Sequence, residues 1–191
     1  MKRTLLLIFG VMTVAAQSSS DGPQFTAGGE LLLPNNYREW VFLSSGLGMT
    51  YGPAAQADQG NPKFDNVFVN PSSYRAFMET GRWPDKTMFI LEVRRATEKG
   101  SINNAGHYQS EVVALEAAVK DEGRFPQKWA YFGFGSAEKA TARPATSTCN
   151  SCHSQNAAVE NTFVQFYPTL LELATHKGTL NTAYIAKSGN H

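Results

Sequence analysis

The segment Cys149-Asn150-Ser151-Cys152-His153 carries the most specific chemistry of this chain. Two thiols separated by two residues can add to the two vinyl groups of a haem, and the histidine that follows can reach the iron as an axial ligand. The spacing therefore predicts one covalently attached haem c, with Cys149 and Cys152 as attachment points and His153 as the metal ligand.

Two other uses of such a segment are a thioredoxin-type dithiol and a zinc site. A thioredoxin motif would open a helix in an α/β frame, whereas this one follows an irregular Ser/Thr/Pro stretch. Zinc would need four ligands, and the chain has only 2 cysteines. A redox disulfide remains the alternative to haem c.

The second axial position of such an iron separates electron carriers, which fill it with Met or His, from ligand-binding proteins, which leave it open. Met78 is the strongest candidate, because its spacing from Tyr74 and Phe77 predicts one shared helix face, although core packing explains it as well. Arg143 could pair with a haem propionate or be a solvated surface residue. The remaining axial candidates are Met49, Met88, His107, His176 and His191.

Short strands and a few helices are predicted to hold these residues. Strands are expected at 37–42, 66–69, 87–93, 108–119 and 129–134, with loops at 48–61 and 97–106. Helices are expected at 72–80 and 168–174, each opened by a proline and closed before a glycine. This order predicts an α+β fold, a mainly antiparallel β-sheet with a few short helices in a single domain.

Length and composition exclude several classes of protein. The chain has 191 residues, 20.9 kDa and 42% hydrophobic residues, which suffices for one core and excludes disordered, collagen-like and coiled-coil chains. Its 17 basic and 16 acidic side chains form no basic run, so neither nucleic acid nor an anionic membrane is an expected partner.

Residues 1–16 have the layout of a secretory signal peptide, with Lys2 and Arg3 before an apolar run and small residues before Gln17. The apolar run is too short to cross a bilayer. We expect an extended N-terminal arm at 17–30, a haem domain at 31–178 and a C-terminal tail at 179–191. The processed protein should be periplasmic or otherwise exported, without a membrane span.

Several segments together resemble the cytochrome P-460 family, which includes the cytochromes c′-beta. They are Tyr37-Arg38-Glu39-Trp40, Asn66-Val67-Phe68-Val69-Asn70-Pro71, Thr80-Gly81 with Trp83-Pro84-Asp85, the haem segment, and Phe163-Val164-Gln165-Phe166-Tyr167-Pro168. The resemblance covers about 31–173. It implies a mainly antiparallel β fold, often a homodimer, with one five-coordinate haem that oxidises hydroxylamine or binds nitric oxide.

The sequence departs from this resemblance in two respects. Enzymatic members carry a lysine, cross-linked to the porphyrin, just before Thr80-Gly81, where this chain has Phe77-Met78-Glu79. They also use a distal carboxylate before the haem segment, and 139–148 contains no Asp or Glu. Elsewhere, Glu111, Glu116 and Asp121 are interpreted as solvent-facing charges.

We therefore expect an exported mono-haem cytochrome with an open iron that binds small nitrogen-oxide ligands. Trp40, Phe68 and Phe77 should border an apolar pocket, which favours neutral diatomics over anions. One alternative is a hydroxylamine-oxidising or peroxide-reducing enzyme, which would need a proton-handling group. The other is an electron carrier with Met78 on the iron and a redox partner protein.

Overall fold

Five strands with alternating side chains form the central antiparallel sheet. They are β2 (Val41–Leu47), β3 (Lys63–Val69), β4 (Met88–Thr97), β5 (Tyr108–Lys120) and β6 (Trp129–Gly133), hydrogen-bonded in that order. A two-stranded sheet pairs β1 (Leu31–Leu32) with β7 (Lys139–Ala140). The computed structural model describes residues 21–51 and 62–189.

The two faces of the sheet pack against different side chains, because successive residues of a strand point to opposite sides. On β4, Met88 and Ile90 belong to a first core cluster, whereas Phe89 belongs to a second one. The first cluster also contains Leu31, Tyr37, Trp40, Val119, Phe132 and Phe134. The second contains Val69, Phe77, Trp83, Trp129, Val159, Val164, Tyr167 and Leu170.

Four helices lie in the described part of the chain: α1 (Pro71–Thr80), α2 (Thr148–Asn156), α3 (Pro168–Lys177) and α4 (Thr182–Ser188). Both α1 and α3 begin with a proline in the first turn. Helix α1 ends at Gly81, whose φ of 71° is a left-handed conformation that glycine adopts without steric cost. No helix of the described residues is long and apolar enough to span a membrane.

The buried carboxylate of Glu92 on β4 holds the segment before β2 against the sheet through hydrogen bonds. Glu92, 3% exposed, accepts hydrogen bonds from the Tyr37 hydroxyl at 2.5 Å and from Arg38 Nη2 at 2.6 Å, and it also pairs with Arg94. Burial opposes ionisation of this carboxyl, but these hydrogen bonds outweigh it and lower the pKa of Glu92.

The predicted α+β fold with its antiparallel sheet is confirmed. The first predicted strand, 37–42, is wrong in part. Tyr37–Glu39 is a 3₁₀ turn and β2 begins only at Val41, because the turn directs the side chains of Tyr37 and Arg38 onto Glu92. Of the predicted loop at 48–61, residues 52–61 lie outside the described residues.

The structure describes 21–30 of the predicted arm and 179–189 of the predicted tail. In the first range Phe25 bridges to Leu31, and its ring centroid lies 6.2 Å from that of Phe125 in an edge-on arrangement. In the second, helix α4 follows Asn181, which donates to the carbonyl oxygen of Ala157. The predicted leader, 1–16, lies outside the described residues.

Candidate functional site

A cavity of about 450 Å³ separates the second face of the sheet from helix α2 and the segment after it. The sheet wall of this cavity includes Asp65 and Val67 of β3, Phe89 and Leu91 of β4, Glu116 and Ala118 of β5, and Tyr131 of β6. The helical wall includes Thr148, Cys149, Cys152, His153, Phe163 and Phe166. Met49, Tyr51 and Arg143 also line it.

Helix α2 places all three residues of the predicted attachment site on the cavity. Cys149 and Cys152 are three positions apart and therefore share one side of the helix. Both thiols are free and partly exposed, and His153 follows on the same wall. The motif thus lies inside a helix, so its local structure does not exclude a thioredoxin-type dithiol. The antiparallel sheet does argue against one, because that site belongs to an α/β frame.

The His153 ring is held on both sides and at one nitrogen. Its centroid lies 4.4 Å from that of Tyr131 and 4.3 Å from that of Phe163. The Nδ1–H donates to the carbonyl oxygen of Asn161 at 2.8 Å, which leaves the lone pair on Nε2. Burial lowers the pKa of His153, with the Asn161 contact opposing it, so the ring is neutral, as metal ligation requires.

The cavity has the properties expected of a site for a large, mostly apolar group. Ile90 is fully buried on one face of β4, whereas its neighbour Leu91 is only half-buried, because it faces the cavity. The hydroxyl of Tyr131 is buried without a satisfactory hydrogen bond. Burial raises the pKa of Tyr131, and the nearby Asn161 side chain opposes this only in part. A buried hydroxyl left unpaired is costly, so a further partner is expected.

The donor set fits a haem better than a bare metal ion. Two thiols and one imidazole lie on the helical wall, which is the set that attaches haem c. Within 21–51 and 62–189, no group of three or more His, Cys, Asp or Glu side chains is arranged to hold a metal ion. The zinc alternative therefore finds no support there.

Three charged residues line the cavity. Burial raises the pKa of Asp65 to about 6, while Lys63 opposes this shift and Glu116 adds to it. Arg143 Nη2 lies 3.1 Å from Glu116 Oε1, at a partly exposed position. Asp65 was missed in the sequence and Glu116 was interpreted as solvent-facing. The alternation of β3 could have identified Asp65, which shares a face with the apolar Val67.

The aromatic residues expected to border the pocket lie elsewhere. Trp40 is buried in the first core cluster and Phe68 packs against that cluster, so both lie on the opposite face of the sheet. Phe77 is buried in the second cluster, with its ring centroid 4.1 Å from that of Trp83. The aromatic residues that line the cavity include Tyr51, Phe89, Tyr131, Phe163, Phe166 and Tyr167.

The candidates for the second axial position differ in whether they lie at the cavity. Met78, the candidate favoured from the sequence, is 37% exposed on α1 and is not among the described residues that line the cavity. Met88 is fully buried in the first cluster, and His107 pairs with Glu98 at 2.9 Å. Met49, interpreted from the sequence as a loop residue, is the one methionine among the described cavity residues. His176 is exposed on α3, and His191 lies outside the described residues.

The position compared with the family's lysine also lies away from the cavity. Phe77 points into the second cluster, while Met78 and Glu79 are exposed on α1. The residue types at 77–79 therefore do not determine whether a lysine amine reaches a haem in the cavity. The lining of the cavity decides it, and no lysine occurs among the described lining residues.

The chain was compared with models of known protein families. The family model for cytochrome P460 matches residues 34–164, more than half of the chain. This range includes β2 to β7, helices α1 and α2, and the cavity wall as far as Phe163. Comparison with curated proteins finds no match.

Proposed function

We propose that this chain, which belongs to the cytochrome P460 family, holds one haem c through thioether bonds at Cys149 and Cys152, with His153 as axial ligand, and binds small nitrogen-oxide ligands such as nitric oxide. Membership of the family implies a haem cofactor. The observation that carries the proposal is the placement of these three side chains on one wall of a single cavity.

The proximal residues have separate roles. When bound, the haem supplies an iron atom that can coordinate a neutral diatomic ligand. Asn161 fixes the tautomer of His153 through its carbonyl oxygen, so that Nε2 is the donor atom. Tyr131 and Phe163 restrict rotation of the imidazole from its two sides.

An open second axial position is supported by the placement of Met49. Its side chain folds back over Gly46, where an added Cβ would collide with its sulfur. The Tyr51 hydroxyl lies 3.9 Å from the same sulfur. A thioether held in this way is occupied by contacts with the end of β2 and with Tyr51. The apolar Val67 and Leu91 on the sheet wall disfavour bound anions, which would lose hydration without a partner.

Absorption spectra of the purified protein in the ferric and ferrous states, with and without nitric oxide, test the proposal. We expect a ferrous spectrum that changes on adding nitric oxide, and the same response in Met49→Leu. A Met49→Leu variant that gains a ligand-binding site absent from the parent would show that Met49 occupies the iron and would favour the electron carrier.

Covalent attachment is tested separately. Cys149→Ala with Cys152→Ala, expressed with haem-maturation machinery, should yield protein whose haem is extracted by acid acetone. Retention of haem after extraction would contradict attachment at these cysteines. Ser151→Ala is the matched control, because Ser151 lies between them and its hydroxyl bonds only to the carbonyl oxygen of Thr148.

A haem enzyme is the second candidate function, and Asp65 is the observation that favours it. Oxidising hydroxylamine or reducing peroxide requires a proton-handling group, and a carboxyl with a pKa of about 6 in the cavity suits that role. Turnover that falls strongly in Asp65→Asn, with nitric oxide binding retained, would support the enzyme. Binding without turnover in the parent protein would support the ligand-binding function.

Export of the processed protein belongs to the same proposal. Haem attachment to a CxxCH segment and a leader at 1–16 both point to an oxidising compartment. N-terminal sequencing of the mature protein should begin near Gln17. Assembly as a homodimer and electron exchange with a redox partner are further parts of the proposal, tested by sedimentation and by reduction kinetics.

A further inference from the structure

We propose that Lys120 and Glu160 form a proximal clamp, a partly buried ion pair that positions the carbonyl oxygen of Asn161 and through it the ring of His153. The proposal rests on the proposed role of His153 as the iron ligand. Both members of the clamp are positioning residues, since neither lines the cavity.

The ion pair joins the end of β5 to the turn at 159–162, and the Glu160 side chain is 18% exposed. Lys120, the last residue of β5, is only 9% exposed at its side chain, and its Nζ lies 2.8 Å from Glu160 Oε2. The same Nζ donates to the Trp83 carbonyl oxygen at 2.6 Å. The second carboxylate oxygen, Glu160 Oε1, accepts from the Trp83 backbone N–H at 3.3 Å. Buried charges persist only with such additional hydrogen bonds, because losing water is expensive.

The backbone at Glu160 is held in a conformation that a non-glycine residue rarely adopts. Its φ is +49°, and such a conformation costs free energy unless the surroundings determine it. Asn181, which precedes helix α4, makes two hydrogen bonds to the backbone of Glu160. Its Oδ1 accepts from the Glu160 N–H at 3.1 Å, and its Nδ2 donates to the Glu160 carbonyl oxygen at 2.8 Å. Glu160 is thus held by its side chain and by both of its backbone polar groups.

The turn at 159–162 contains Asn161, the hydrogen-bond partner of His153. Asn161 directly follows Glu160, and its carbonyl oxygen accepts from His153 Nδ1–H at 2.8 Å. On its other side, the Thr162 N–H donates to the Val159 carbonyl oxygen at 2.9 Å, and Thr162 Oγ1 accepts from Trp83 Nε1 at 2.8 Å. Because both neighbours of Asn161 are anchored, the direction of its carbonyl group is set by the turn.

The expected consequence is electronic as well as geometric. A carbonyl oxygen that accepts the Nδ1–H of an iron-ligating histidine makes the imidazole a stronger donor. A stronger donor stabilises ferric over ferrous iron and lowers the reduction potential, which the axial ligand and its hydrogen bonds control. Loosening the clamp should therefore raise the potential of the protein.

The test compares variants of the full-length holoprotein. Glu160→Ala removes the contacts to Lys120 and Trp83, Lys120→Met removes the charge, and Glu160→Gln keeps the size and hydrogen-bonding capacity of the side chain. Arg38→Met is the matched control, because it breaks the ion pair with Glu92 that lies on the other face of the sheet. The measurements are the reduction potential, the iron–histidine stretching frequency of the ferrous protein, and the melting temperature.

We expect a higher potential and a lower stretching frequency in Glu160→Ala and Lys120→Met, with partial rescue in Glu160→Gln and neither change in Arg38→Met. A tenfold shift of the ferric–ferrous equilibrium would appear as about 59 mV. If Glu160→Ala does not take up haem, Lys120→Met and Glu160→Gln decide by the same measurements. Lower melting temperatures with unchanged potential and frequency would overturn the proposal.

His153→Gly distinguishes failure of the clamp from failure of the proposed function. If His153 binds the iron, this variant loses the parent spectrum and recovers it with added imidazole. A parent-like spectrum in His153→Gly without imidazole would instead remove His153 from the iron. In that case the proposed function fails, and any effect of Glu160→Ala has another cause.

Discussion

The Nδ1 atom of His153 lies 2.8 Å from the carbonyl oxygen of Asn161, eight residues further along the chain. This hydrogen bond crosses from helix α2 to the turn at 159–162 and leaves the lone pair on Nε2. It gives the imidazole one tautomer and one orientation, the two properties that a metal-ligating histidine needs.

His153→Ala should therefore change the iron spectrum, whereas His107→Ala and His176→Ala should not. The first removes the proposed ligand from the cavity wall, while His107 pairs with Glu98 and His176 is exposed on α3. Ferric and ferrous absorption spectra of the three variants make the comparison. Equal disturbance by all three would mean that the proximal ligand has been misplaced.

Asp65→Asn should remove a pH dependence of anion binding. Because the pKa of Asp65 is raised to about 6, its carboxyl is neutral below that pH and negative above it. Azide or nitrite should bind the ferric parent more tightly at pH 5 than at pH 7.5, since the negative form repels anions. The charged groups that act on Asp65 are Lys63 and Glu116, whereas the nearby Tyr51, whose pKa is raised by burial and by Asp65, is neutral in this range.

Asp65→Asn should also change how the free energy of unfolding depends on pH. The folded protein binds the Asp65 proton more tightly than the unfolded chain, so the contribution of Asp65 to stability falls as the pH rises from about 4 to about 6. Asp65→Asn should lose that fall in urea unfolding experiments across this range. A slope and an anion affinity identical to those of the parent would contradict the assignment of this titration to Asp65.

Glu92→Gln should destabilise the fold by about 2 kcal/mol, because it weakens the hydrogen bonds that Tyr37, Arg38 and Arg94 donate to a buried carboxylate. The pKa of Glu92 is lowered in the folded state, so its contribution is present above the unfolded pKa near 4.5 and is lost as the pH falls. Urea unfolding at pH 7 and at pH 3 should show the difference between parent and variant shrinking in acid. A constant difference would mean that the charge of Glu92 is not what stabilises the fold.

No lysine should be found bonded to the haem, because the described cavity residues include none. We expect an ordinary c-type spectrum, without a red-shifted ferrous band, and little hydroxylamine turnover. A peptide map of the proteolysed protein makes the measurement. Haem bonded to any lysine peptide, or sustained hydroxylamine oxidation, would move the assignment to the enzymatic branch of the family.

The sequence by itself determined the features that depend on short spacing. Cys149 and Cys152 share a helix side because they are three residues apart, and His153 follows on the same wall. Prolines at the first turn predicted where α1 and α3 begin, and the glycines that follow them predicted where they end. The family resemblance, carried by segments spread over the chain, is confirmed by the matching family model.

Only the tertiary structure decided which face of each strand meets the cavity. The alternation of side chains along a strand puts Phe68 and Val67 on opposite faces of the sheet, and likewise Ile90 and Leu91. It does not tell which of the two faces meets helix α2. For this reason Phe68 was expected at the pocket, while Asp65 on the same strand was not. The hydrogen-bond partner of His153 could not be predicted from the sequence either, because every residue has a backbone carbonyl. Its direction follows from a turn held by Lys120, Trp83 and Asn181, which are remote from one another along the chain.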